Sequence, residues 1–247
     1  MRFAQVLRNG ALSGAAAGLV AALLMWLHTE PIIRRALAIE DARHSSGDHH
    51  HDEELVSRTA QVAVGACTAV VAGVLFGLVF AVVFARTRHR LPGRSDHARA
   101  LWLAAFGFGV FALLPALAIP ANPPAVGDAD TVTRRTLIYL LAILVGLLVV
   151  GAVSAIDRLL QERGTQPPVR HTVDLVSGVV LAALALWLLP SSPDAIPADV
   201  PAALVWDFRL ASLAQLAAMW SVMGVVFGLL ATRQTSPARE AEPATVR

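Results

Sequence analysis

The amino-acid sequence predicts an all-α fold, a polytopic membrane helix bundle with about six transmembrane helices and both termini in the cytoplasm. The chain is 56% hydrophobic and only 15% charged over its 247 residues, which lies outside the usual range of soluble domains. Six apolar stretches approach the length of about 20 residues that a helix needs to cross the hydrocarbon core. These stretches show no period-2 alternation, which excludes an outer-membrane β-barrel.

The six predicted spans belong to one transmembrane domain, residues 1–235. The first span follows Arg2 and Arg8 as a signal-peptide core would, but a charged His28-Thr-Glu-Pro segment replaces the small-residue cleavage site. We therefore interpret it as a retained helix. The external loop covers residues 29–60, and residues 236–247 are predicted to be a disordered cytoplasmic tail. The spans cover residues 10–28, 61–85, 100–119, 136–156, 174–190 and 209–232.

The arginines predict the orientation of the bundle. All twenty basic residues are arginine, and thirteen of them fall in the segments that share a side with the two termini. Cytoplasmic segments carry the excess of basic residues, so the termini are predicted to lie inside and the loop of residues 29–60 outside. The seven arginines on the predicted outer side are Arg34, Arg35, Arg43, Arg58, Arg134, Arg135 and Arg209.

Glycines at four-residue steps occur in three spans. Such steps let two helix backbones approach closely, so we interpret them as helix-packing positions rather than ligand sites. The steps are Gly10, Gly14 and Gly18, then Gly73 and Gly77, then Gly224 and Gly228.

Several functional classes are excluded or disfavoured by composition. A chain without lysine has neither a Walker A lysine nor a Schiff-base lysine, so any ATP hydrolysis must come from another subunit. Because the net charge is only +2 and the arginines flank apolar segments, nucleic-acid binding is not expected. No nucleophile with a matching base is evident, so the chain is predicted not to be an enzyme and to hold no permanent cofactor. The single cysteine, Cys67, forms no intrachain disulfide.

A His/acid tract, residues 44–54, lies in the predicted outer loop and holds four histidines and four acidic residues. Imidazole nitrogen and carboxylate oxygen suit divalent first-row metals, and a segment with serine and glycine can bend around an ion. No ligand pair has the fixed spacing of a structural zinc site. A solvated loop without a metal role therefore remains an equal alternative. The predicted metal ligands of the tract are His44, His49, His50, His51, Asp52, Glu53 and Glu54.

Four further candidate ligands lie near the same predicted face. His28 and Glu30 bracket the outer end of the first span, and the segment to Glu40 is predicted to form an amphipathic helix. Asn122 and Asp128 lie in a loop that three prolines stiffen. Each of these residues has an ordinary alternative as an interfacial polar group or a helix terminator.

Asp207 and Arg209 stand at the predicted outer start of the sixth span. We interpret them as a local ion pair in preference to a transport site.

The chain resembles the CbtA family of predicted cobalt-transporter subunits over nearly its whole length. The resemblance rests on four blocks: Glu30-Pro31-Ile-Ile-Arg-Arg-Ala-Leu-Ala-Ile-Glu40, the His/acid tract, the Pro-Ala-Asn-Pro-Pro-Ala-Val-Gly-Asp run that ends at Asp128, and the segment from Val200 to Leu213. Ile119 stands where an aromatic residue is expected more often. The resemblance implies cobalt uptake for cobalamin supply, often with a small single-span partner, CbtB.

The leading hypothesis is a permease subunit of the bacterial inner (plasma) membrane that takes up a divalent transition metal. The resemblance points to Co²⁺, whereas histidine and carboxylate would serve Ni²⁺ or Zn²⁺ as well. In this hypothesis the His/acid tract raises the local metal concentration, and Glu30, Asn122 and Asp128 are better candidates for a defined site. The alternative is a metal-binding sensor or scaffold subunit that does not move ions.

Overall fold

The computed structural model describes residues 3–44 and 57–235, and every regular element within those residues is helical. The elements in chain order are α1 (Phe3–Leu24), a π-helical turn (Met25–Thr29), α2 (Glu30–His44), α3 (Arg58–Thr87), α4 (Asp96–Phe108), a second π-helical turn (Gly109–Leu113), α5 (Leu114–Ala118), a 3-10 turn (Ala129–Thr131), α6 (Val132–Glu162), α7 (Pro167–Leu188) and α8 (Ala202–Thr235).

Six of these helical stretches are long and apolar enough to cross a membrane, which confirms the predicted all-α bundle of about six transmembrane helices. The stretch that joins α1 and α2 has 41 residues. At a rise of about 1.5 Å per residue it is about twice as long as the hydrocarbon core requires. The six stretches are Phe3–Arg43, Arg58–Thr87, Asp96–Ala118, Ala129–Glu162, Pro167–Leu188 and Ala202–Arg233.

The chain divides into two compact units. The first unit comprises Met1–Ala22, Gly65–Ala105 and Ala218–Arg247. The second unit comprises Leu23–Val64 and Phe106–Ala217.

In the first unit, α1 and α3 pack through glycines. A Cβ atom built on Gly73 would lie 2.8 Å from the Cα of Gly18, and one built on Gly18 would lie 2.7 Å from the Cα of Val70. One built on Gly14 would collide with the carbonyl oxygen of Gly73. Because no side chain fits between these backbones, the four-residue glycine steps serve close helix packing, as the sequence predicts.

Helix α8 packs against α3 and α4 in the same unit. The Phe227 ring meets Phe80 and Phe84 edge-on, with centroid distances of 5.2 and 4.9 Å. A Cβ atom on Gly224 would lie 2.6 Å from the Cβ of Ala104. The glycine step in the sixth span therefore also marks a helix contact.

In the second unit, a π-helical turn links α1 to α2. The N–H of Glu30 donates to the carbonyl of Met25, five residues back, and Pro31 follows at once. In a regular helix the proline ring would clash with the carbonyl four residues earlier, and the wider π turn accommodates it. The helix therefore continues through the Glu-Pro pair, and the predicted helix up to Glu40 extends from α1 as α2.

The second π-helical turn has the same relation to a proline. Leu114 donates to the carbonyl of Gly109, and Pro115 follows. Pro115 has no N–H for the carbonyl of Phe111, and the hydroxyl of Tyr139 donates to that oxygen at 3.2 Å. A side chain from α6 thus satisfies the polar group that the proline leaves open, as a membrane interior requires.

An apolar core in the second unit joins α2 to two proline-rich loops and to the start of α8. We call residues 119–128 the first proline loop and residues 190–201 the second proline loop. Ile39 and Phe208 pack against the edge of this core. The loops are therefore held by buried side chains as well as by polar contacts. The buried members are Ile32, Ala36, Val126, Val200, Leu204 and Val205.

Candidate functional site at the predicted outer loops

Glu30 is a buried carboxylate held by two arginines. Its side chain is 6% exposed and follows the first π-helical turn. Arg34 donates to its Oε1 at 2.9 Å, while Arg58 donates to Oε1 at 3.0 Å and to Oε2 at 2.6 Å. Arg58 is the first residue of α3, so this pair joins the start of α2 to the start of α3. The bidentate contact is the strong form of an arginine–carboxylate pair.

Arg43, near the end of α2, binds both proline loops. It donates to the two carboxylate oxygens of Asp199 at 2.6 and 2.9 Å and to the carbonyl of Ala125 at 2.9 Å. The hydrogen bond from the Arg43 guanidinium lowers the pKa of Asp199 below its usual range. Ala125 has a φ of 68°, so its carbonyl is presented from a left-handed turn.

Asp194, in the second proline loop, is the centre of a polar network. Its side chain is 0% exposed. It accepts hydrogen bonds from the Thr131 hydroxyl at 2.6 Å and the Asn122 amide at 3.2 Å, and it lies 3.3 Å from the guanidinium of Arg135. The Thr131 hydrogen bond lowers the pKa of Asp194 most; Arg135, the backbone of Asp128 and Asn122 also lower it, against the effect of burial.

Asn122 connects Asp194 to Arg209. Its Nδ2 donates to Asp194, and its Oδ1 accepts from Arg209 at 2.9 Å. Arg209 also donates to the carbonyl of Ala121 at 3.3 Å. Asn122 lines an open cleft of about 300 Å³ together with Arg135 and neighbouring residues. Both ends of the amide therefore have a protein partner within the described part of the chain.

The other two described candidates are exposed. His28 lies in the first π-helical turn. The side chain of Asp128 accepts from the N–H of Asp130 at 3.0 Å, and its carbonyl accepts from Thr131 at 2.7 Å. The structure thus brings Asn122 and Asp128 into the Asp194 network, whereas Glu30 belongs to a separate pair of contacts with Arg34 and Arg58.

The His/acid tract falls almost entirely outside the described residues. His44 is the last residue of α2, and its side chain is not described. The remaining predicted ligands outside the described residues are His49, His50, His51, Asp52, Glu53 and Glu54. Among residues 3–44 and 57–235, no three His, Cys, Asp or Glu side chains are placed to share a metal ion.

The interpretation of Asp207 and Arg209 as a local ion pair is wrong. Asp207 lies 3.7 Å from Arg35 of α2, and Arg209 binds Asn122. Residues two apart on a helix point in different directions, so each finds a partner on another element.

The predicted outer segments therefore contain carboxylates that are matched to arginines. Glu30, Asp194, Asp199 and Asp207 each lie within 3.7 Å of a guanidinium. A divalent cation that binds any of them competes with an arginine for the carboxylate charge. The same contacts give a role to the arginines on the predicted outer side, where the positive-inside rule expects few basic residues. Six of the seven arginines there have a named side-chain or backbone partner among the described residues.

The sequence did not identify the residues that bind the candidate ligands and the proline loops: Asp194, Asp199, Arg43 and Arg58. The second proline loop is visibly acidic and proline-rich in sequence, which was the available signal for the two aspartates.

Comparison with known proteins gives a family match. The family model described as "Probable cobalt transporter subunit (CbtA)" matches residues 3–232, nearly the whole chain. No curated protein and no solved structure matches the chain.

Proposed function

The chain belongs to the CbtA family of probable cobalt transporter subunits, and we propose that it is the permease subunit of a system for divalent transition-metal uptake. It is a multi-pass membrane protein. The proposed cargo is Co²⁺ for cobalamin supply, and the proposed location is the bacterial inner membrane. The family match, which extends over all six apolar helices, is the observation that carries this proposal.

The first proposed step is metal capture by the His/acid tract on the outer side. Its four histidines and four acids offer the nitrogen and oxygen ligands that Co²⁺, Ni²⁺ and Zn²⁺ accept. Contacts of the described residues on either side of the tract support a transfer from it to the other candidate ligands. Arg43 precedes it and binds Asp199, and Arg58 follows it and binds Glu30. Both flanking arginines are thereby attached to the elements that carry the other candidate ligands.

The second proposed step transfers the ion from the tract to Glu30, or to the separate Asp194 network that holds Asn122 and Asp128, with exposed His28 as a further candidate ligand. The Glu30 carboxylate has two guanidinium partners, so an arriving cation would exchange with one of them. Such an exchange discriminates against monovalent ions, because only a higher charge compensates for the lost arginine contact.

A partner subunit is part of the proposal. The family description calls the protein a subunit, and we propose a small single-span CbtB-like chain as the partner. The chain itself has no lysine for a Walker A motif and is proposed not to act as an enzyme. A sensor or scaffold that binds metal without moving it is the alternative against which transport is tested.

Proteoliposome uptake of Co²⁺ at limiting and saturating concentrations tests the two steps. The H49A/H50A/H51A variant should raise the apparent KM about tenfold with little change at saturation, because the tract acts through local concentration. Asn122→Ala should reduce uptake at both concentrations. The control is His89→Ala, which removes an exposed histidine from the loop between α3 and α4.

Two outcomes would contradict the proposal. If vesicles containing the chain and its partner accumulate no more metal than empty vesicles while still binding it, the sensor or scaffold alternative is correct. If the triple histidine variant and His89→Ala have the same kinetics, the tract has no role in capture.

A further inference from the structure

The first unit has a strong excess of positive charge. Its described residues contain a single acidic side chain, Asp96, so their formal net charge is +6. The remaining polar side chains of this unit are uncharged or histidine. The arginines among these described residues are Arg8, Arg86, Arg88, Arg90, Arg94, Arg99 and Arg233.

Helix packing brings these charges to one end of the unit. Gly10, near the start of α1, contacts Gly77 and Ala81 in the second half of α3, so the two helices are antiparallel. Gly228, near the end of α8, packs against His97 at the start of α4. The start of α1, the end of α3, the start of α4 and the end of α8 therefore meet, and each of the seven arginines named above lies on one of these ends or in the α3–α4 loop.

The acidic residue, Asp96, already forms ion pairs with two of these arginines. Asp96 lies 3.1 Å from Arg99 and 3.6 Å from Arg88. Within the described residues, Arg86, Arg90 and Arg94 have no side-chain partner, and all three are exposed. Arginines at the end of membrane helices that have no side-chain partner among the described residues are positions at which an external anion is attracted.

A cleft of about 260 Å³ opens beside this cluster. It is lined by Val6 of α1, by Phe84 and Ala85 of α3, and by Arg88, which begins the loop after α3. Its lining combines three apolar side chains with one arginine, Arg88. That combination fits a ligand with a hydrocarbon part and an anionic head, because the guanidinium fork matches phosphate oxygens.

We propose that the arginine end of the first unit binds an acidic phospholipid, with the phosphate at Arg86, Arg88, Arg90 and Arg94 and an acyl chain against Val6 and Ala85. A soluble acidic peptide would use the charge but not the apolar side chains of Val6, Phe84 and Ala85. The site lies on the face that the arginine distribution predicts to be cytoplasmic.

Native mass spectrometry of the full chain, purified with its own lipids and then mixed with phosphatidylcholine and phosphatidylglycerol, tests the proposal. The wild-type protein should retain phosphatidylglycerol preferentially. The R86Q/R90Q/R94Q variant leaves the Asp96 ion pairs intact and should retain it about 10- to 100-fold less, since each arginine near a lipid surface contributes separately. The matched control, R134Q/R158Q/R163Q, removes the same charge from the second unit and should bind as the wild type does.

A second variant keeps every arginine. Ala85→Trp should fill the cleft and reduce lipid retention while circular dichroism and elution volume remain those of the wild type. Equal retention by the site triple variant and the control triple variant would overturn the proposal, as would equal retention of phosphatidylcholine and phosphatidylglycerol by the wild type. Capture of an acidic peptide in place of lipid would overturn it as well.

Discussion

Asp194 holds the two proline loops together at the scale of single residues. A carboxylate with no exposed surface depends on its donors, and Asp194 has Thr131, Asn122 and Arg135 as side-chain donors. Loss of its charge leaves the Arg135 guanidinium without its counter-ion. Such a loss lowers the free energy of unfolding, because the Arg135 guanidinium stays partly desolvated without its partner.

We expect Asp194→Asn to lower the melting temperature of the purified protein by about 2–4 °C near neutral pH. The pKa of Asp194 is lowered in the folded chain, so its contribution is present above its unfolded pKa of about 3.9 and is lost as the pH falls through the folded value. The stability difference between wild type and variant should therefore be constant down to about pH 5 and should close below about pH 4.

Thermal melts across this pH range, with exposed Asp130→Asn as the control, provide the measurement. A difference that grows on acidification would show that Asp194 is not held as a paired anion.

Single candidate residues were more predictable than their partners. Glu30, Asn122 and Asp128 could be named from sequence because ionisable and amide groups beside prolines at span ends are unusual. Their contacts join residues far apart in the chain: Asn122 and Arg209 are 87 positions apart, and Arg43 and Asp199 are 156 apart. Composition and hydropathy contain no information on which of these groups meet.

At the scale of elements, the glycine contact between α1 and α3 determines how close those helices lie. The four-residue glycine spacing that forms this contact was predictable, because glycine at every fourth position has few other uses in a membrane helix. The π-helical turns were not predictable in the same way. A proline in a helical pattern indicates an end or a kink, and only the contacts around Pro31 and Pro115 decide that each helix continues.

Substitution of a packed glycine tests this contact. Gly14→Ala should separate α1 from α3 and lower the melting temperature by several degrees, because its new Cβ would collide with the Gly73 backbone. Gly151→Ala is the matched control: outside its own turn of helix, no atom lies within 4 Å of the position of its Cβ, and alanine favours the helix. Thermal melts in one detergent compare them. Equal melting temperatures for the two variants would contradict the close-packing account.

At the scale of the whole molecule, hydropathy was sufficient for the six helices because a bilayer requires each span to be both long and apolar. Hydropathy was insufficient to predict the structure of the loops. The proline loops acquire their form from buried valines and from arginine–carboxylate pairs, which depend on tertiary contact.

Orientation is a whole-molecule prediction that rests on the arginines. In a Cys67→Ser background, a membrane-impermeant maleimide added to intact cells should label a cysteine at Asp130 and should not label one at Glu162. Both positions are exposed, so both should react after solubilisation. Labelling of Glu162→Cys alone in intact cells would show that the termini lie outside.

The central claim is that this chain moves Co²⁺ across the membrane. Uptake of radioactive Co²⁺ at limiting concentration, in cells with and without the chain and with its partner present in both, tests it most directly. The account predicts accumulation several-fold above the cells that lack the chain, with excess unlabelled Co²⁺ abolishing the difference. Equal accumulation in the two strains would contradict the claim.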